Sequence, residues 1–148
     1  MKNYSLAELY ELSKNSSPHQ YSFDLTITEE LNAHLVSIYP EEDASPLVRD
    51  LAFAKSKGFP ALICPILPFI VYVLPTIEKN LLGTNLIGIG TTGTNFRKPI
   101  FVGDTVTITG TLVSVSRATR IVTFNANIMK ISEIIADGQW RMQVLPEL

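Results

Sequence analysis

Asp43, Ser45, Pro46, Val48 and Asp50 lie within one eight-residue stretch. Asp43 has the chemistry of a proton acceptor, although a carboxylate following Glu41 and Glu42 also reads as an Asx turn or a solvated loop residue. Asp50 reads as a structural or helix-surface residue. Val48 can neither give nor take a proton. Cys64 is the only cysteine, so no internal disulfide is possible and a zinc site built from cysteines is not expected. A thiol at a helix start is acidified, which raises a nucleophile reading for Cys64. Its neighbours Ile63 and Pro65 are apolar, and a packed core thiol is the expected role. His34 falls mid-helix beside Leu35, where a packed or solvent-facing role is expected, and His19 lies in an early loop next to Pro18. Arg97, Lys98, Arg117, Arg120 and Lys130 could meet phosphates, but scattered basic residues at strand ends ordinarily face solvent. Gly88, Gly90 and Gly93 lie in a strand pattern with no helix behind them, which is not a phosphate loop. No metal-ligand spacing occurs, and neither a metal nor a cofactor is expected.

The elements that must position these residues follow from pattern. Ser5 with Glu8, and Thr26 with Glu29, have the spacing of capping boxes, the first opening a helix that ends near Asn15. Between them, 20–26 alternates Tyr21, Phe23 and Leu25 with polar residues, as a half-buried strand does. The second helix carries Leu31, Leu35 and Ile38. A loop over 40–46 leads to a short helix over 47–57. A long apolar helix is expected over 64–82, with Pro65 and Pro68 tolerated in its first turn and Pro75 kinking or dividing it. Four strands follow, over 85–96, 104–116, 120–131 and 134–145. Asp137-Gly138 could be a tight turn or a bulge in the last of them. The pattern predicts one α+β domain over 1–148, a long apolar helix wrapped by an antiparallel sheet.

Composition narrows the class. With 46% hydrophobic and 18% charged residues among 148, a packed core is expected rather than disorder. The net charge of −2 and the absence of a basic run argue against nucleic-acid binding. The N-terminus shows no apolar signal-peptide core. The uncharged run over 58–77 is long enough to span a bilayer, but its three prolines and the soluble strands after it favour a core helix. With one cysteine, a cytoplasmic setting is expected, away from membranes.

Two stretches resemble the MaoC-like hydratase/dehydratase family. One is Asn95-Phe96-Arg97-Lys98-Pro99-Ile100-Phe101-Val102-Gly103-Asp104-Thr105-Val106, similar to that family's aromatic, proline-aliphatic pair and Gly-Asp at the start of a central strand. In the other, Asp43, Ser45, Pro46, Val48, Asp50 and Ala54 match Asp-x-Asn-Pro-x-His-x-Asp and its following alanine. Phe59 and then Ile63-Cys64-Pro65-Ile66-Leu67 stand where the family has Phe and Ile-x-His-Gly-Met. The resemblance covers most of 21–144. It implies a hotdog fold, a dimer and acyl thioesters on coenzyme A or acyl carrier protein as ligands. In the family, the Asp and His share the water that adds to an enoyl thioester, and a helix-start N–H polarises the thioester carbonyl. Asp43 keeps the Asp position, Val48 replaces the His, and Pro65 and Ile66 replace the second His and the Gly. The resemblance thus implies Asp43 as the catalytic candidate and Val48, Cys64, Pro65, Ile66 and Asn95 as substrate-binding candidates.

Two functions follow as alternatives. One is a binding subunit with a degenerate hydratase site, paired as a homodimer or with a related hotdog chain. The other is an acyl-thioester hydratase, dehydratase or thioesterase-like enzyme using Asp43 as lone base.

Overall fold

The computed structural model describes residues 2–146. Helix α1 (Leu6–Lys14) opens with the expected reciprocal cap: Ser5 Oγ accepts the Glu8 N–H while the Glu8 carboxylate accepts the Ser5 N–H. The second cap lies two residues later than the spacing predicts. Thr26 belongs to β1 (Gln20–Thr26) and hydrogen-bonds the Thr105 hydroxyl, so Thr28 caps α2 (Glu29–Val36) by accepting the Leu31 N–H. Ile38 falls beyond that helix and is exposed.

The helix expected over 47–57 is two pieces, α3 (Pro46–Arg49) and α4 (Leu51–Ser56). Asp50 sits between them with extended backbone, and its Oδ1 accepts the Phe53 N–H at 3.1 Å. It therefore caps α4, the structural role its type suggested. The apolar helix α5 (Ile66–Leu81) starts after Pro65, so Cys64 lies outside it. Pro75 stays within the helix without dividing it.

Strands β2 (Leu86–Phe96), β3 (Thr105–Ser116), β4 (Ile121–Lys130) and β5 (Glu133–Val144) join β1 in one antiparallel sheet of order β1-β3-β4-β5-β2. Asp137 and Gly138 make no turn. They pair with Asn95 and Thr94, and the irregularity lies opposite them, in β2 between Thr91 and Thr94, where Gly93 has φ +78°.

Phe69, Val73, Ile77 and Leu81 of α5 are buried with Val106, Ile108, Val122 and Phe124 of the sheet, forming one core. The closest approach is at Gly110 of β3, where a Cβ would lie 2.3 Å from Ile77 Cγ2. Glycine here makes room for the helix. The sheet covers only one side of α5, leaving Leu67 and Val71 69% and 67% exposed. None of the helices among the described residues is long and apolar enough to cross a membrane.

Candidate ligand site at the start of the central helix

The entry to α5 is held by main-chain bonds. Cys64 donates its N–H to Ile100 O at 2.7 Å, Val102 to Leu62 O, Gly103 to Ile27 O and Ile27 to Asp104 O, and Ile63 bridges Phe101. Asp104 Oδ2 accepts the Phe101 N–H at 2.9 Å, and its Oδ1 pairs with Lys130 at 2.7 Å. Gly103 turns this loop with φ +97°, a backbone that side-chain-bearing residues rarely adopt. The Gly-Asp stretch picked out in the sequence is thus a clamp that fixes where the central helix begins.

Val48 is joined to that clamp through its neighbour: Ile63 donates its N–H to Leu47 O at 3.0 Å. Val48 is 8% exposed. Its carbonyl accepts a hydrogen bond of 3.1 Å from Nδ2 of Asn32, a residue of α2 only 2% exposed. Asn32 is the residue that sequence reasoning missed, although an asparagine one step from Leu31 and three from Leu35 on an amphipathic helix is a signal for a buried amide. Asn32, Val48, Ala44 and Leu62 help to line an open cavity of about 670 Å³ between α2 and α3–α4.

The other candidate residues are placed as follows. Asp43 ends the 3-10 turn Glu41–Asp43; its N–H bonds Pro40 O and its side chain is exposed, outside the wall of that cavity. Cys64 is buried, and loss of hydration pushes its thiol up to about 12, so it stays protonated and cannot act as a nucleophile near neutral pH. Pro65 is the N-cap of α5, and Ile66 is its first residue. The N–H groups of Ile66 and Leu67 have no intrahelical acceptor, as in any first turn, so a donor for a ligand oxygen exists there. Asn95 is an exposed β2 residue facing Asp137. Its neighbours Thr94 and Phe96 instead line an apolar space between α5 and the sheet. That space, bounded also by Leu74, Ile77 and Trp140, measures about 30 Å³, room for about one water molecule.

The basic residues are largely engaged. Arg97 pairs with Asp137 and Lys98 with Glu133, Lys130 is held by Asp104, and Arg120 donates to Val144 O and Leu145 O. Arg117 lies over the Tyr10 ring. His19 donates Nε2–H to Leu81 O at 2.7 Å, since a carbonyl can only accept, and His34 is exposed. Among the described residues no three potential metal ligands gather.

A single apolar helix laid across a five-stranded antiparallel sheet of this order is the hotdog fold. Solved structures agree, and the chain's structural neighbours are MaoC-like and (R)-hydratase proteins. It is similar to the R-hydratase PhaJ1 from Pseudomonas aeruginosa, with a TM-score of 0.79 and 18% identity over 99% of this chain and 94% of that one. An (R)-hydratase from A. caviae involved in PHA biosynthesis gives 0.77 and 20% identity over 89% and 98%. A chain of the ChsH1-ChsH2 complex from Mycobacterium tuberculosis gives 0.74 and 14% over 88% and 100%. No protein-family model matches the sequence, and no curated relative is found.

Proposed function

We propose that this chain is a single-domain, cytoplasmic hotdog subunit that binds acyl thioesters of coenzyme A or acyl carrier protein through a degenerate hydratase site, without catalysing hydration itself. Val48 carries the proposal. It stands where the resembling family has its histidine, its side chain is buried, and its carbonyl is held by Asn32, so no proton-transfer group occupies that position. A positioned acid-base group is commonly worth about 10²–10⁴ in rate, and its loss cripples ordinary hydration. The small apolar space beside Phe96 and Trp140 fits the reading if those side chains swing aside for an acyl chain.

A second hotdog chain completes the subunit. β2 is an edge strand paired only with β5, with Ile87 and Ile89 exposed, and α5 leaves Leu67 and Val71 exposed. Unpaired strand edges and apolar faces of this kind are covered in stable proteins. The likeness to a chain of a two-protein complex supports a related subunit as partner, with a second copy as the other candidate.

The second reading, a lone-base enzyme, is favoured by one observation. The Asp43 carboxylate is exposed and, among the described residues, takes part in no ion pair. Hydration, dehydration and thioester hydrolysis are all within its chemistry. Turnover of crotonyl-coenzyme A and medium-chain enoyl thioesters by wild type and Asp43→Asn separates the readings. The binding-subunit proposal expects background rates for both proteins, together with saturable binding of a non-reactive acyl-coenzyme A analogue. Robust turnover by a purified homodimer overturns it, and loss of that turnover in Asp43→Asn establishes the second reading.

A further inference from the structure

We infer that the acyl group held by this chain is short, about five carbons or fewer, because Leu74 and Trp140 shut the space that a longer one would need. The inference rests on the acyl-thioester reading above. Free N–H donors stand at the first turn of α5, on Ile66 and Leu67. A thioester carbonyl seated on them sends its chain along the helix towards the apolar space, which begins on the helix at Ile70. Four helical residues rise about 6 Å, and an extended chain with C–C bonds of about 1.5 Å advances roughly 1.3 Å per carbon. Four or five carbons therefore fill that turn, and later ones must enter the space.

The sheet beneath shows why they cannot. Three rows of paired residues cross it under α5: Phe96 with Ala136, Thr94 with Gly138, and Thr91 with Trp140. Adjacent rows are about 7 Å apart. β3 leaves the clamp at Thr105 and meets the first row at Ile108, the second at Gly110 and the third at Leu112, so the rows recede from the helix start in that order. Gly138 and its neighbour Ala126 are small and leave a hollow in the middle row. Leu74 faces that hollow from α5 and Trp140 ends it, leaving about 30 Å³, room for about one water molecule. Trp140 is half-buried against the core and flanked by Phe124 and Thr91 on the neighbouring strands, so its ring is confined on both sides. A chain that outgrows the first turn of α5 gains nothing from its extra methylenes.

The test is calorimetric titration of the full chain with free coenzyme A and with its acetyl, butanoyl and octanoyl thioesters, all saturated so that none can be hydrated. In an open channel each buried methylene tightens binding about four-fold, so octanoyl would exceed butanoyl by about two-hundred-fold. Wild type is expected to bind the butanoyl thioester more tightly than free coenzyme A, and the octanoyl thioester within about three-fold of the butanoyl. Trp140→Ala and Leu74→Ala each widen the space and should favour octanoyl by at least about ten-fold. Trp140 is the only tryptophan, so its emission reports the far end of the space directly. Butanoyl-coenzyme A leaves that emission unchanged in wild type, and octanoyl-coenzyme A shifts it in Leu74→Ala. Should Trp140→Ala fail to fold, Leu74→Ala alone decides. A steep rise with chain length in wild type, or no gain in Leu74→Ala, overturns the inference and leaves the acyl-thioester reading standing. Thioesters of every length binding no better than free coenzyme A overturn both.

Discussion

Replacing Gly110 with alanine tests the contact that sets the distance between helix and sheet. An alanine Cβ would lie 2.3 Å from Ile77 Cγ2, 3.5 Å from Leu81 Cδ2 and 3.7 Å from Ile77 Cβ. Only the first is impossible as it stands. That methyl sits on the β-carbon of a buried helical residue, so it cannot swing away as a chain end could. Overpacking a close-packed core costs about 1–3 kcal/mol. Against this, glycine in mid-strand is worse than alanine by about 0.5–1 kcal/mol. The clash wins, and Gly110→Ala should lose about 1–2 kcal/mol, or about 2–8 °C in Tm for a chain of this size. The assay is denaturant or thermal unfolding at fixed protein concentration, with a double-mutant cycle against residue 77. Ile77→Leu keeps the volume but moves the branch off the β-carbon, so it should recover most of the loss. Ile77→Val keeps the offending methyl and should recover nothing. Equal rescue by leucine and valine, or no loss in Gly110→Ala, would show that the helix does not rest on Gly110.

Further outcomes follow from the same structure. Cys64 should not react with Ellman's reagent at pH 8 until the protein unfolds. Its thiol is held near 12 when folded against an ordinary 9.0, so the unfolded chain loses its proton first and stability should fall as pH rises from 9 towards 12. Burial also raises the Glu78 carboxyl above its ordinary 4.5, so the folded state holds that proton more tightly and its contribution to stability declines as pH climbs from there through the raised value. Glu78→Gln should therefore raise Tm at pH 7, with the gain vanishing below pH 4.5. Asp104→Ala removes the acceptor for the Phe101 N–H and the partner of Lys130, and should cost about 2 kcal/mol in urea unfolding. Asp104→Asn should keep part of this through its amide oxygen.

What could be read in the sequence was local or periodic. The Ser5–Glu8 cap, the β1 alternation and the apolar run of α5 need only neighbouring residues, and each stands within a residue or two of its expected place. The Thr26–Glu29 cap went astray because Thr26 is held by Thr105, a partner from the other half of the chain. The break at Asp50 was hidden because an aspartate reads equally well on a helix surface and at a helix start. Of the candidate site, the absence of a histidine at 48 was plain, since it concerns residue type alone. The cavity beside it was not, because it exists only once α2 packs against α3 and Asn32 reaches a carbonyl sixteen residues away.

Pro75 has one more consequence. Having no N–H, it leaves the Val71 carbonyl, one turn earlier and on the uncovered side of α5, without its usual intrahelical donor. That oxygen is a wet notch in an otherwise oily ridge. Whatever settles over the ridge must bring a hydroxyl or amide to that height, or trap a water there, so a featureless greasy surface makes a poorer lid than one with a single well-placed polar group.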